Sequence, residues 1–210
     1  MIYKEKKFIF VHIYKTGGKS LQDSLFPYID RIPIYYKVFN KLATPLHIKW
    51  FPKYLKIHMH SGVTVYRDYL GNEFDNYFKF AVSRNPFSWQ VSLYFFMREN
   101  FKHKQHKLIM SMDFDEYIKW RCNEENLVLQ KSFLVDESGK NLMNFIGKLE
   151  NLKEDTQILS EKLNLPLLPP PHLGSTKHKH YSDYYTKKTA DLIRKNFEED
   201  FEFFEYSFEI

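Results

Sequence analysis

The 210-residue sequence lacks the features that define several common classes of protein. Cys122 is the only cysteine, so the chain can form neither an intrachain disulfide nor a cysteine-rich metal site. No apolar run reaches the length needed to span a bilayer, and neither internal repeats nor low-complexity linkers divide the chain. We therefore expect one domain over residues 1–210, with no transmembrane segment.

The composition that is present is aromatic-rich and moderately basic. Hydrophobic residues make up 43% and aromatic residues 18%, so 20 Phe and 15 Tyr must supply much of the buried area. A net charge of +5 favours anionic ligands. The lysines are scattered rather than massed in one arm, so this charge permits nucleic-acid binding without requiring it.

The segment FIFVHIYKTGGKS, residues 8–20, carries the clearest local pattern. Phe8 to Ile13 is a run of β-branched and aromatic residues, typical of a buried strand. A turn with two glycines follows, and Leu21 and Leu25 then recur at helical spacing. Glycines let backbone amides approach an oxyanion, and the helix dipole favours negative charge there. The segment predicts a site for phosphate or a similar group.

The glycine turn fits the Walker A pattern G-x-x-x-x-G-K-[ST] only in part. Gly18, Lys19 and Ser20 match its second half, whereas its first glycine would fall at Ile13, inside the strand. A simple strand-to-helix turn with solvated lysines is the alternative interpretation.

A second strand, Tyr77 to Val82, runs into a turn that contains Arg84. Asn85 can cap the helix that follows, and Pro86 can occupy its first position. The guanidinium of Arg84 suits a phosphate, and Ser92 lies a little over two helical turns further on. Taken alone, an ion-paired arginine and a serine bonded to its own backbone explain these residues equally simply. Two anion sites on neighbouring strands together fit a nucleotide with phosphates at both ends.

The rest of the chain alternates between strand and helix patterns. We predict a strand at 54–58, helices at 63–70, 86 onwards, 113–122, 150–165 and 184–197, and loops at 30–53 and 172–181. Residues 123–148 are ambiguous, with strand-like patterns at 133–135 and 145–146. This alternation predicts an α/β fold with a mostly parallel central sheet covered by helices on both faces.

The sequence resembles a known family at both anion sites. Residues Val11 to Leu21 resemble the 5′-phosphosulfate loop of sulfotransferases, and Phe80 to Pro86, with Ser92, resemble their 3′-phosphate motif. The resemblance extends to His60, to 145–150, to 172–185 and to 200–208, which covers most of the chain. The matching type is the carbohydrate sulfotransferases (sulfotransferase family 2-like), best known from heparan and chondroitin enzymes and their small bacterial relatives.

The resemblance implies a P-loop NTPase-like three-layer fold and 3′-phosphoadenosine 5′-phosphosulfate (PAPS) as sulfuryl donor. The product nucleotide would be PAP, and no metal would be required. Lys15 would contact the oxygen that bridges to sulfur, and Arg84 and Ser92 would hold the 3′-phosphate. The other residues implied to bind or cover the nucleotide are Thr16, Gly17, Gly18, Lys19, Ser20, Leu21, Ser175, Lys177 and Lys179.

His60 is the candidate catalytic base beside Lys15, because imidazole titrates near neutral pH and the family has a corresponding histidine. His58, two residues earlier on the predicted strand, is a rival. Glu150 is another, although it can equally cap the helix that it begins. The sequence departs from the family pattern at Tyr14, Lys19, Ser83 and Gly174. Lys19 can either add a charge at the leaving phosphate or point away from it.

The resemblance further implies a hydroxyl acceptor, with a glycan as the family-level expectation, and a soluble, cytoplasmic, bacterial enzyme without a nucleic-acid partner. The aromatic residues proposed to stack on sugar rings, or alternatively to pack in the core, are Tyr35, Tyr36, Trp50 and Phe51. A basic cluster at 102–107 can steer an anionic acceptor or simply form a solvated helix end.

Two other functions compete with this interpretation. A P-loop kinase-like phosphotransferase would use Lys19 and Ser20 with Mg²⁺, but the incomplete Walker pattern and the lack of a metal-binding Asp after a second strand count against it. A non-catalytic nucleotide- or nucleic-acid-binding protein would exploit the charge and the aromatic residues.

Overall fold

The structure, a computed structural model, describes residues 1–28, 57–166 and 178–210. The predicted loop at 30–53, the first part of the strand at 54–58 and most of the basic loop at 172–181 lie outside these residues. So do Ser175, Lys177 and the four aromatic residues proposed to contact a sugar, which therefore remain predictions.

A four-stranded sheet in the order β1-β2-β3-β4 lies at the centre of the described residues. Its strands are β1 (Ile2–Tyr3), β2 (Phe8–Val11), β3 (Phe78–Ser83) and β4 (Phe145–Lys148). β1 pairs antiparallel with β2, whereas β2, β3 and β4 pair in parallel. Val11 lies opposite Ala81, and Ser83 lies opposite Lys148. The carboxyl ends of the three parallel strands therefore meet at one edge, where open α/β sheets bind their ligands.

Helices connect and flank these strands. The α-helices are α1 (Gly18–Leu25), α2 (Val63–Leu70), α3 (Pro86–Glu99), α4 (His106–Met110), α5 (Phe114–Arg121), α6 (Leu152–Leu163), α7 (Lys187–Asn196) and α8 (Glu198–Phe203). Short 3₁₀ helices occupy Phe26–Tyr28, Gly71–Asn76, Lys131–Phe133, Leu149–Asn151 and Tyr181–Tyr184.

The side chains of β2 alternate between two hydrophobic cores, as the two-residue period of a strand requires. Ile9 and Val11 face the larger core, which contains apolar residues of α2, α3, α5 and α7. Phe8 and Phe10 face the smaller core, which contains apolar residues of α1 and α6. Helices therefore cover both faces of the sheet, which confirms the predicted α/β architecture with its mostly parallel strands.

The strand predictions were correct for β2 and β3, and the strand-like pattern at 145–146 belongs to β4, whereas the other two patterns form no strand in the described residues. Ile57 and His58 belong to no strand, because the chain there turns into α2. Phe133 ends a 3₁₀ helix, and only Val135 forms an isolated bridge, with Asn141. The short edge strand β1 was not predicted, since two residues carry no measurable alternation.

The helix predictions were correct in position, and the limits of α2 were correct as well, whereas several other limits differ. The helix predicted from residue 86 ends at Glu99, before the basic cluster at 102–107. The helix predicted from residue 150 is preceded by a 3₁₀ turn and begins at Leu152. The helix predicted from residue 184 begins at Lys187, because Thr186 caps it by accepting a hydrogen bond from the amide of Thr189. The acidic tail forms α8, which was not predicted. Within the described ranges, no helix combines the length and apolarity needed to cross a membrane.

Candidate active site

A cavity of about 1350 Å³ opens at the carboxyl edge of the parallel strands. The predicted residues that line it are Lys15, Gly17, Gly18, Lys19, Ser20, His60, Arg84 and Ser92. The structure thus places both predicted anion sites and the candidate base around one space. A cavity of this size is large enough for a nucleotide-sized ligand and a second molecule.

The glycine turn ends β2 in a left-handed backbone conformation. Lys15 and Gly17 have φ angles of 64° and 77°, and α1 begins at Gly18. The amides of Ser20 and Leu21 point back to the carbonyl of Gly17 at 3.0 and 3.3 Å. No side chain caps the helix start, so the amides of Gly18 and Lys19, which precede those two bonded amides, point toward the position that an anion would occupy.

The side chain of His12 packs directly against this turn at Gly18. A Cβ atom at Gly18 would collide with the His12 ring, so only glycine fits there without displacement. Burial lowers the pKa of His12 to about 3, with the neighbouring His60 and the N-terminal amine acting in the same direction. The imidazole is therefore neutral at physiological pH and adds no charge to the turn.

Arg84 follows β3 and connects the two turns. Its backbone amide donates to the Gln130 side-chain oxygen at 2.9 Å, and the Gln130 amide nitrogen donates to the Arg84 carbonyl at 2.8 Å. The guanidinium donates through Nε to Ser88 Oγ at 2.9 Å and through Nη1 to the Lys15 carbonyl at 3.2 Å. Burial lowers the pKa of Arg84, while Glu150 and Tyr206 act in the opposite direction.

The Lys15 amine lies near Arg84 in the same cavity wall. Its Nζ is 4.7 Å from the centre of the Phe96 ring, a cation–π distance. Burial, and secondly the positive charge of Arg84, lowers the pKa of Lys15, whereas Glu99 raises it. A lysine whose protonation is disfavoured by burial and by a neighbouring guanidinium gains when an anionic group binds beside it.

His60 faces the cavity, and one of its two ring nitrogens is hydrogen-bonded to the backbone. Nδ1 lies 2.9 Å from the carbonyl oxygen of His12. Because a carbonyl can only accept a hydrogen bond, Nδ1 carries the proton and Nε2 of the neutral ring keeps its lone pair. The ring also contacts Tyr14 edge-on, with centroids 5.8 Å apart. This tautomer is the one that a general base acting through Nε2 requires.

Among the described residues, the side chains of the other predicted site residues do not reach the cavity. Thr16 is buried and donates from Oγ1 to the Ile13 carbonyl at 2.9 Å, and Leu21 lies in the smaller core. Lys179 is exposed away from the cavity wall.

The two rivals of His60 also lie away from the cavity wall. His58 is exposed outside it. Glu150 accepts hydrogen bonds from the Asn85 amide at 2.9 Å and from the Tyr206 hydroxyl at 2.8 Å. Both carboxylate oxygens of Glu150 are therefore already occupied.

Sequence reasoning missed the residues that hold the site together from distant parts of the chain. Gln130 fixes Arg84 across 46 positions of sequence, and the Trp89 indole donates to the Tyr14 carbonyl at 2.7 Å. Arg121 is buried in the cavity wall and donates to the Tyr14 hydroxyl at 3.3 Å. The spacing of apolar residues predicted the helices that carry Trp89 and Arg121, but no sequence pattern predicted which residues these two side chains contact.

The electrostatics of the cavity favour anions. In the described part of its wall, the charged residues are the cations Lys15, Lys19, Arg84, Lys104, Arg121 and Lys153 and the carboxylate Glu125. Among the described residues, no group of three or more His, Cys, Asp or Glu side chains is arranged to hold a metal ion.

Comparison with known proteins identifies the family. The search of curated protein sequences found no significant match. The sequence model of the sulfotransferase family, however, matches residues 1–207, almost the entire chain. This match agrees with the α/β sheet that places the two predicted anion-binding turns side by side. The chain belongs to the sulfotransferase family and is an enzyme of sulfuryl transfer.

Proposed function

We propose that the enzyme transfers the sulfuryl group of PAPS to a hydroxyl group of a carbohydrate, with His60 as general base. The observation that carries this proposal is that Lys15, Arg84, Ser92 and His60 open into one cavity. A single ligand with an anionic group at each end can therefore contact both turns. The proposal includes a P-loop-like fold, which the strand–glycine turn–helix unit at 8–25 supports.

The cavity fits this donor in charge and in shape. PAPS bears anionic groups at both ends of the nucleoside, and cationic side chains outnumber the single carboxylate in the described part of the wall. The uncapped start of α1 offers backbone amides to the 5′-phosphate. Arg84 offers a planar fork of donors, with Ser92 two turns along α3, to the 3′-phosphate. Lys19 is exposed at the rim and adds charge beside the 5′ end.

Each side chain then has a defined task. When bound, PAPS supplies the sulfuryl group and a phosphate leaving group. Lys15 stabilises the negative charge that develops on the oxygen between phosphorus and sulfur as the bond from this oxygen to sulfur breaks. His60 removes the proton of the acceptor hydroxyl through Nε2, while its Nδ1–H remains bonded to the His12 carbonyl. The fixed ring aligns this nitrogen with the acceptor before reaction.

The position of the rivals favours His60 as the base. His58 lies outside the cavity wall, and both oxygens of Glu150 accept hydrogen bonds from the protein.

The cavity wall also contains the aromatic residues Tyr14, Phe96 and Trp120, which offer flat apolar faces to a sugar ring. These faces support a carbohydrate acceptor.

Ligand-dependent melting tests the donor. PAP at about 100 times its dissociation constant should stabilise the fold by about 2.7 kcal/mol, which corresponds to an increase in Tm of roughly 5–10 °C for a chain of this size. ATP at the same concentration should have a smaller effect, because it lacks the 3′-phosphate that Arg84 recognises. Stabilisation by ATP and not by PAP would refute the proposal in favour of a kinase-like function.

Replacement of the base tests the reaction. His60→Ala should retain PAP binding and lose transfer from PAPS to a glycan panel by a factor of about 10²–10⁴. His58→Ala is the matched control, since it removes an imidazole two residues away and should retain full turnover. Full activity of His60→Ala would show that another group takes the proton.

A further inference from the structure

A basic and apolar surface lies beside the cavity on the segment that connects α3 to α4 and on α4 itself. We call it the 101–110 surface. Phe101, Leu108 and Met110 are 75%, 43% and 48% exposed. Three large apolar side chains so close together in sequence are an unusual concentration for a solvated helix end.

The packing of α4 explains why these side chains point outward. Ile109 is fully buried in the larger core, and Nδ1 of His106 lies 3.0 Å from the Met97 carbonyl. These two contacts fix the rotation of α4 against α3. Because successive residues of an α-helix are about 100° apart, Leu108 and Met110 lie on the two flanks of α4 beside Ile109, where both remain partly exposed.

The same surface carries a local excess of positive charge. Lys102, Lys104 and Lys107 are exposed, and the sequence has no acidic residue between Glu99 and Asp113. None of these lysines forms an ion pair with a carboxylate of the described residues. The Lys102 amine lies 5.7 Å from the centre of the Phe101 ring, so charge and apolar surface are interleaved.

The 101–110 surface adjoins the mouth of the cavity. His103, Lys104 and Gln105 line the cavity wall. The His103 ring contacts Phe96 with centroids 5.8 Å apart, and Phe96 in turn contacts the Lys15 amine. Anything that binds this surface is therefore held next to the residues proposed to transfer the sulfuryl group.

We propose that the 101–110 surface docks on a lipid surface that carries anionic headgroups. Lysines interleaved with exposed Phe, Leu and Met match the chemistry of the headgroup–acyl boundary, which attracts cations and accepts apolar side chains at shallow depth. Docking in this orientation brings the cavity mouth to the headgroup level, where the hydroxyl groups of membrane-bound glycans are found. Only this last consequence depends on the proposed function.

Vesicle co-sedimentation of the full chain tests the proposal. The protein should bind vesicles of phosphatidylcholine and phosphatidylglycerol, bind pure phosphatidylcholine weakly, and dissociate as salt is raised. Lys102→Gln combined with Lys107→Gln should lower the partition coefficient roughly 20- to 30-fold, from about 1 kcal/mol per lysine. Phe101→Ser should lower it about tenfold, because this apolar side chain no longer enters the interface.

Matched variants separate docking from general charge and hydrophobicity. Lys187→Gln combined with Lys195→Gln removes the same charge from exposed positions on α7, and Phe26→Ser removes a phenyl ring that is 70% exposed elsewhere. Both should bind vesicles like the parent. Equal loss in these controls, or anionic binding that is insensitive to Phe101→Ser and is abolished by a random oligonucleotide, would overturn the proposal. A failure of PAP to bind would refute the proposed donor and leave this result unaffected.

Discussion

Two turns lie at the cavity edge, residues 14–18 after β2 and residues 84–86 after β3. They differ in how the first backbone amides of the following helix are capped. α3 begins with Pro86, and the Asn85 side chain accepts hydrogen bonds from the amides of Phe87 and Ser88. α1 begins at Gly18 after a left-handed glycine and has no side-chain cap. The start of α3 is therefore capped by a side chain of its own sequence, whereas the start of α1 has no side-chain cap.

This difference indicates a division of labour between backbone and side chain. In the proposed complex the backbone approaches the ligand at the first turn, which agrees with the glycines and positive φ angles found there. At the second turn the proposed contact is a guanidinium, so the backbone needs only rigidity. Gln130 supplies that rigidity by bonding both backbone polar groups of Arg84. The hydrogen bond from Arg84 to the Lys15 carbonyl then joins the two turns.

Within this comparison, the largest effects are expected from replacing the cation of each turn. One replacement should lower kcat, and the other should weaken nucleotide binding. Lys15→Ala should lower kcat by about 10²–10³, because it removes a charge that acts on the leaving oxygen. Arg84→Ala should instead weaken PAP binding about 10- to 100-fold, the usual cost of losing a charged hydrogen-bond partner. Steady-state kinetics and isothermal titration calorimetry measure both. The exposed Lys195→Ala is the control, and unchanged PAP affinity in Arg84→Ala would reject the 3′-phosphate assignment.

A second effect concerns His12 beneath the first turn and appears in the pH dependence of stability. Its pKa is about 3 in the folded state, below the ordinary 6.5, so its contribution is fully present above pH 6.5 and is lost as pH falls toward 3. At pH 4.5 this loss amounts to about 3 kcal/mol, at roughly 1.4 kcal/mol per pKa unit. Asp200 opposes it, because burial raises its pKa to about 6 and its contribution is lost as pH rises through that value.

His12→Asn should therefore flatten the acid limb of the stability profile while Asp200 still titrates. Urea unfolding of parent and variant at pH 4.5 and 7.5 gives the double difference, which cancels any constant cost of the smaller side chain. Parallel profiles would show that His12 is protonated in the folded protein.

A third effect tests the space above His12. Gly18→Ser should destabilise the fold by about 1–3 kcal/mol, because the new Cβ collides with a buried ring, and should abolish PAP-dependent stabilisation. Gly62→Ser is the matched control. Gly62 precedes α2 with extended backbone, and a Cβ there would meet its nearest atom at 3.6 Å, an ordinary contact. Thermal melting with and without PAP distinguishes the two variants.

The sequence allowed the two turns to be predicted because their signals are local. A strand run followed by Gly17 and Gly18, or by Asn85 and Pro86, specifies backbone geometry within a few residues. Likewise, Asp113 and Gly71 marked the limits of α5 and α2. The position of these elements in the parallel sheet followed from general rules of chain topology.

What joins the turns was not predictable, because it depends on contacts between distant residues. Gln130 lies in a segment with ambiguous periodicity, yet it fixes Arg84 and receives support from Asp200 through its own amide. The same limitation explains His60. Its predicted strand is not formed at residues 57–58, and its orientation comes instead from the His12 carbonyl, 48 positions away.

The smallest expected effect concerns Asn85 in the second turn. It tests whether this side chain only caps α3 or also contacts the nucleotide. Asn85→Ala should cost about 1 kcal/mol in urea unfolding, because the amides of Phe87 and Ser88 lose their acceptor. PAP affinity should not change, since Gln130 still holds the backbone of Arg84. Asn85→Asp keeps an acceptor at the cap and should restore the stability. A fall in PAP affinity with Asn85→Ala that Asn85→Asp does not reverse would mean that this side chain also contacts the nucleotide, and the two turns would then differ less than their geometry indicates.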